Sequence, residues 1–283
     1  MGIPVEYIAI GSEIALSLHP ILLKLIQVPL ITQLVLRLGT FSVLGGVLAE
    51  KSDWSHTWGS WDVIKTSILG GIINLIHIGS SYTSYKHLSA GNSLALFYIH
   101  PFINILAGVY FLNEKMNWYI IPYLIIAFIG VLLISRGEKE ESQKSDKNIT
   151  LGITMALISA FTESLIFLLV KTSEHKNSFI NILQLYPAAL ALLLGFSAWN
   201  GVSVLNGSFT QIIQIIVFNI FIGFIGYNLR FYSIPRLTTV IFSLLTFIGV
   251  ASGYYWGLLF AGEKPSWASL LGAGLITGSV ASV

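Results

Sequence analysis

Glu13 and Glu163 each stand inside a long run of apolar residues, 163 − 13 = 150 positions apart. If those runs cross a bilayer, a charge at mid-depth is unfavourable by about 2.5–3.5 kcal/mol even on the lenient insertion scale, so each carboxyl must face a cavity or a partner. A carboxyl in that setting can load a coupling proton or hold an amine. The competing role for Glu13 is a structural bridge to Arg37 or Lys24. Glu13, Ser17 and Lys24 lie at i, i+4 and i+11, one face of a helix.

Asn74, His77 and Ser81 follow at spacings of three and four, and Asn92, His100 and Asn104 at multiples of four, so each set makes a polar stripe along one helix. His77 either hydrogen-bonds a solute and exchanges a proton or packs as a satisfied histidine. Pro101 withholds a backbone donor and frees the carbonyl near residue 97. That kink suits a helix that bends, or one its neighbours simply accommodate. Arg37 keeps its charge and needs an anion: Glu13, a solute carboxylate or the headgroup region. Structural pairing is the expectation. The candidate substrate-binding or coupling residues are therefore Glu13, Glu163, His77, Asn74, His100, Asn104 and Arg37. Asn219, Gly223 and Tyr227 form a weaker stripe, and Gly249, Gly253 and Gly257 recur every four residues as a helix-packing row.

The elements that hold these residues follow from composition. The 283 residues are 54% hydrophobic and 10% charged, with mean hydropathy +0.78, whereas soluble domains carry roughly 25% charged residues. Apolar stretches broken by short polar ones read as membrane-spanning helices at about 5–26, 29–49, 63–84, 88–112, 118–135, 149–171, 178–199, 211–229, 234–260 and 265–283. The first is expected to be retained as a helix, since it lacks a basic n-region and a small-residue cleavage site. With no cysteine there are no disulfides or thiolate metal sites. The net charge of +2 gives no footprint for nucleic acid.

The stretch "NEKMNW" from Asn113 returns as "GEKPSW" from Gly262, with the two Glu-Lys pairs 263 − 114 = 149 residues apart. The same shift superposes Leu88 on Leu237, Gly108 on Gly257, Phe111 on Phe260 and Trp118 on Trp267. The chain is thus a repeat, residues 1–135 and 149–283, joined by a charge-balanced polar linker at 136–148. Each half holds five spans, an odd number, so the second half enters the membrane inverted. Inverted repeats build many secondary transporters, whose site lies near the midplane between the halves. Lys and Arg counts on the two faces tie at seven each and favour cytoplasmic termini, seven to three, once the linker is set aside. Glu114 and Glu263 fall at helix ends and read as solvated.

"LSAGNSLALFYIHPFINILAGVYFLNEKMNWYIIPYLIIAFIGVLLIS", Leu88 to Ser135, resembles the closing part of an EamA-type repeat of the drug/metabolite transporter superfamily. It has small residues opening the fourth helix, a mid-helix Pro, and a Gly before an acidic-basic pair. "GSEIALSLHPILLKL" and "LVLRLGTFSVLGGVLA" are similar to the family's first two helices. The second half departs from the pattern, with Val250 at the position of Pro101 and Ala188 at that of Arg37. The resemblance implies an all-α integral membrane protein of ten transmembrane helices in two inverted five-helix repeats, multi-pass in the plasma membrane, moving a small-molecule solute.

"GAGLITG" at Gly272 lacks dinucleotide-loop spacing, and neither HExxH nor GxSxG occurs, so no cofactor and no hydrolase chemistry is expected. One deep arginine is too little for a phosphorylated solute. The expected cargo is neutral, zwitterionic or cationic, such as an amino acid or amine, carried by proton coupling or exchange. Tyr254–Trp256 would offer it an aromatic surface. The rival readings are a passive channel, which wants a continuous polar lining, and a non-transporting scaffold or receptor.

Overall fold

The computed structural model describes residues 2–88, 90–137, 148–173, 177–260, 262 and 266–282. All of the regular structure among these residues is helical. Among the described residues nine helices are long and apolar enough to span a bilayer: α1 Val5–Leu22, α2 Leu30–Leu48, α3 Trp61–His87, α4 Ser93–Phe111, α5 Trp118–Arg136, α6 Ile149–Lys171, α7 Ser178–Trp199, α8 Phe209–Arg236 and α9 Thr239–Phe260. The shorter α10, Trp267–Ala281, completes ten. A short helix, Lys51–Trp58, leads into α3 behind a reciprocal cap between Glu50 and Asp53. Most of the linker, residues 138–147, and Glu263 of the second Glu-Lys pair lie outside the described residues.

The helix pairings have the symmetry an inverted repeat demands. α3 packs on α6 and α1 on α8; α3 packs on α7 and α2 on α8; α2–α7, α4–α9 and α5–α10 pair across the axis. Advancing every member by five helices exchanges the first two pairs, exchanges the next two, and returns each of the last three to itself. Small residues permit the closest crossings, because lipid offers no hydrophobic drive to bring helices together. A Cβ on Gly130 would stand 2.6 Å from the Gly272 carbonyl, and one on Gly272 would stand 2.5 Å from the Gly130 carbonyl, so α5 and α10 cross backbone to backbone. Trp118 and Trp267, equivalent in the repeat, are both exposed at the start of these helices, where aromatic rings suit the headgroup level.

Three spans are broken where function concentrates. α1 breaks at Ser17–Leu18 ahead of Pro20, and α4 at Tyr98–Ile99 ahead of Pro101. Each proline leaves the carbonyl four residues back without its helical donor. The preceding histidine fills the gap: His19 Nδ1 donates to the Leu16 carbonyl at 3.2 Å and His100 Nδ1 to the Phe97 carbonyl at 3.0 Å. α9 breaks at Phe247, where the 149-residue shift maps Tyr98, although Val250 replaces the proline. There the Val250 N–H reaches back only three residues, to Phe247. The kink therefore survives in the half that lost its proline.

The eighth span differs most from expectation. It runs to Arg236 instead of stopping near 229, and residues Asn219–Phe224 form a π-helical segment. The expected spans 211–229 and 234–260 left Arg230 between them among the surface charges. Arg230 stays in the membrane because buried carboxylates neutralise it, and Pro235 falls in the closing 3₁₀ turn, where a missing donor is harmless. Arg230 is therefore withdrawn from the surface charges counted for orientation.

Candidate functional site

Glu13, Glu163 and His77, from three separate helices, meet at one buried cluster. The cation between the carboxylates is Arg230: Nη1 lies 2.8 Å from Glu13 Oε1, and Nη2 bonds Glu163 Oε1. This corrects the expected pairing of Glu13 with Arg37. His77 closes the other side of Glu163, with Nε2 3.3 Å from Oε2 while Nδ1 lies 3.2 Å from the Ser159 carbonyl and 3.5 Å from the Ser159 hydroxyl. All four side chains are nearly excluded from solvent.

The cluster forms part of the wall of a cavity of about 110 Å³, room for several waters by its volume. Ser17, His19, Tyr82 and Tyr85 extend the lining away from the face that carries the N-terminus, and Gly249 and Gly253 of α9 form the far wall. These glycines adjoin α1. A Cβ on Gly249 would stand 2.7 Å from the Tyr98 hydroxyl and 3.4 Å from Glu13 Oε2, whereas Gly253 has nothing nearer than 3.7 Å.

Arg37 reaches the same cavity from α2. Its Nη1 donates to the Tyr82 hydroxyl at 3.3 Å, and its Cζ lies 4.9 Å from the Tyr227 ring centroid and 5.8 Å from that of Phe41. Tyr227 follows the π-helical segment by one turn, and the altered register brings both it and Arg230 to the cavity wall.

The remaining candidates stand apart from the cavity wall. Asn74 Nδ2 donates to the Leu185 carbonyl at 3.1 Å and fastens α3 to α7. His100 stacks on Phe97 at 4.6 Å behind the cluster. Asn104 is buried, its amide making no hydrogen bond among the described residues. The side chains of Lys24 and Asn92 lie outside the described set. Tyr254–Trp256 does not supply the expected aromatic surface among the described cavity residues; Trp256 instead donates to the Ile14 carbonyl at 3.2 Å. Glu114, expected to be solvated, bridges helices: Oε1 lies 3.1 Å from Lys171 Nζ and Oε2 accepts the Thr239 N–H at 2.8 Å.

Sequence reasoning missed Arg230, His19 and Tyr82. The repeat held a signal for the first. A shift of 150 maps Arg230 onto Ser80, beside the polar stripe of α3 that His77 and Ser81 define, so a polar wall on α8 was implied. Among the described residues no group of three His, Asp or Glu side chains has the geometry to hold a metal.

Ten helices in two opposed sets around a buried charged cavity define a membrane transporter of the inverted-repeat class. The chain belongs to the EamA-like transporter family, which matches residues 5–136 and again 150–283. It is a multi-pass integral membrane protein. A curated relative, "Uncharacterized transporter YxxF" of Bacillus subtilis (strain 168), is 25% identical over 238 residues, covering 83% of this chain and 74% of that protein. A crystal structure 14% identical in sequence superposes with a TM-score of 0.78 over 98% of this chain and 95% of its own, a likeness of fold.

Proposed function

We propose that the protein is a proton-coupled secondary transporter that carries a small organic solute, chemically unchanged, through the cavity between the halves 1–135 and 149–283. A neutral, zwitterionic or cationic metabolite such as an amino acid or amine is the cargo. The observation that carries this reading is the contact of His77 Nε2 with Glu163 Oε2 at 3.3 Å. His77 Nδ1 lies 3.2 Å from the Ser159 carbonyl and 3.5 Å from the Ser159 hydroxyl, so it donates to the first or accepts from the second according to where the ring carries its proton. The carboxylate oxygen only accepts, so with the ring's proton on Nδ1 the contact becomes a hydrogen bond when one further proton occupies it, on the imidazole or on the carboxyl.

Charge counting gives that proton a consequence. Glu13, Glu163 and Arg230 by themselves sum to one negative charge, which that proton would offset locally, while Arg37 on the same cavity wall adds a further positive charge. The groups facing the pair include Arg230 and Tyr227 from α8, Glu13 from α1, Tyr98 and His100 from α4, Arg37 from α2 and Tyr186 from α7. Two halves that share a proton site at their interface have the arrangement alternating access uses. The Glu114–Lys171 bridge lies on the N-terminal face while the cavity lining extends toward the opposite one, which supports a conformation closed on a single side.

The test uses purified protein in proteoliposomes with a mixture of labelled amino acids and amines. Wild type should accumulate label when a pH gradient is imposed and should exchange label in counterflow. Glu163→Gln and His77→Gln should lose gradient-driven accumulation and keep counterflow. Flux without counterflow would mean a channel, no flux a scaffold, and counterflow indifferent to the gradient an uncoupled exchanger.

A further inference from the structure

The seam between α4 and α9 is polar, buried and unsatisfied. Gly108 of α4 faces Thr239 of α9 so closely that a Cβ on the glycine would stand 2.9 Å from Thr239 Oγ1. α4 runs toward the face that carries the N-terminus and α9 away from it, so one turn deeper Asn104 comes level with Ser243. A turn beyond, His100 comes level with Phe247, whose ring lies 5.7 Å from that of Tyr98 and 6.4 Å from that of Phe102. His100, Asn104, Thr239 and Ser243 are each no more than 1% exposed. Yet His100 Nε2, both amide atoms of Asn104, Thr239 Oγ1 and Ser243 Oγ make no hydrogen bond among the described residues. Burying a polar atom unpaired is unfavourable, and a row of them along two facing helices calls for bound water.

Both ends of this row are groups that exchange protons. At the inner end Ser164, next to Glu163 on α6, donates to the His100 carbonyl at 3.3 Å. The titratable or charged groups facing the His100 ring are Glu163 from α6, Arg230 from α8, His77 from α3 and Tyr98 on α4 itself. With Nδ1 donating to the Phe97 carbonyl, Nε2 of the neutral ring is an acceptor. At the outer end Glu114 Oε2 accepts the Thr239 N–H at 2.8 Å, and Lys171 Nζ lies 3.1 Å from Oε1.

We propose that the α4–α9 seam binds a file of water and carries the coupling proton between the Glu163–His77 contact and Glu114 at the N-terminal face. The inference rests on the proton-coupled reading above and gives its proton a route separate from the solute's cavity. One proton leaves the Glu163–His77 contact for the water at His100. Each water passes a proton on as it receives one, and the last goes to the Glu114 carboxylate, which releases it to the aqueous face. Asn104, Ser243 and Thr239 can each donate and accept, so they hold such a file without fixing its direction. A solute would need the helices to part at Gly108 and Thr239, whereas a proton needs only the hydrogen-bonded file.

A structure of the purified protein at a resolution that shows bound water should place ordered water within hydrogen-bond distance of Asn104 and Ser243. Asn104→Leu, nearly equal in size, distinguishes a wet seam from a dry one by sign. It should lower the melting temperature by evicting water that also serves Ser243; in a dry seam it would raise it, since it would only remove two unpaired atoms. In proteoliposomes Asn104→Leu and Ser243→Ala should each slow accumulation driven by a pH gradient about tenfold more than they slow counterflow at equal pH. If Asn104→Leu does not fold, Ser243→Ala, a change of one hydroxyl, carries the flux test alone. A seam without water, a higher melting temperature for Asn104→Leu, or accumulation and counterflow that fall together would overturn the route. Wild-type counterflow with no gradient-driven accumulation would overturn the coupling and the route with it, whereas accumulation intact in both variants would overturn the route alone.

Discussion

Arg230 Nη1 lies 2.8 Å from Glu13 Oε1, which ties the eighth helix to the first and joins the two halves at a buried charge. Because the same guanidinium also holds Glu163, the three residues are unequal in what their loss leaves behind. Arg230→Gln strands two carboxylates and should destabilise the protein by about 3–5 kcal/mol. Glu13→Gln leaves Arg230 still paired with Glu163 and should be milder. Adding Glu13→Gln to Arg230→Gln should restore part of the loss, because one stranded charge disappears. Thermal unfolding of the three variants in detergent measures this order, and equal losses for the two single variants would contradict the shared guanidinium.

The wall opposite the cluster is written in glycine for space. Gly249→Ala would drive its Cβ to 2.7 Å from the Tyr98 hydroxyl and 3.4 Å from Glu13 Oε2. Tyr98 is held by ring contacts to Phe247 at 5.7 Å and Phe97 at 5.4 Å, so it has little room to yield. Gly249→Ala should therefore lower counterflow about tenfold, a disturbance of about 1.4 kcal/mol. Gly253→Ala, whose nearest neighbours stand at 3.7 and 3.8 Å, should transport normally. Equal behaviour of the two would remove the steric argument.

How much of this was legible in the chain depends on which residues carry the information. Apolar length and the NEKMNW/GEKPSW echo yield ten spans and their inversion, since membrane spanning is a property of each segment by itself. Glu13, Glu163 and His77 announce themselves because a polar residue in an apolar run has no cheap alternative explanation. Arg230 did not, because it stands near the end of its run, where a cation also fits the headgroup region. Its place inside the protein is decided by carboxylates 217 and 67 residues away in sequence. The π-helical segment at Asn219–Phe224 is invisible to spacing arguments that assume 3.6 residues per turn. His19-Pro20 was readable in retrospect, since it repeats the dipeptide His100-Pro101.

The broken helices make a test of whether proline causes the kink or merely fits it. In α4, Pro101→Ala would let the new N–H take the Phe97 carbonyl, evicting the His100 ring from its acceptor and straightening the helix. Exchange should slow while solute binding stays within about tenfold. In α9 the kink persists without proline, so Val250→Pro should be accepted with a loss near 1 kcal/mol, that of one backbone hydrogen bond, well short of the about 3 kcal/mol proline costs inside a regular helix. Ile166→Pro, within unbroken α6, is the comparison. Melting temperatures of the two proline variants decide it, and a Val250→Pro loss as large as that of Ile166→Pro would mean that α9 is regular in solution.

On the face that carries the N-terminus, Glu114 and Lys171 bind the end of α4, the end of α6 and the corner between α8 and α9. Lys171 Nζ meets Glu114 Oε1 at 3.1 Å and the carbonyls of Ile234 and Leu237, and Glu114 Oε2 accepts the Thr239 N–H that opens α9. If this is the closed gate, weakening it should populate the conformation open to that face. Glu114→Gln keeps an acceptor for Thr239 and loses only the charge, a change of about 1 kcal/mol or less for a partly exposed pair. Glu114→Ala removes the helix cap as well, worth about 1 kcal/mol more. A cysteine placed at Ser243, buried one turn into α9, should then react with a membrane-impermeant thiol reagent added on that face, modestly faster in Glu114→Gln and about tenfold faster in Glu114→Ala. The chain has no other cysteine to confuse the reading. Labelling that rises equally for reagent added on either face would indicate loosened packing, and labelling unchanged in both variants would show that the bridge is not what keeps this face shut.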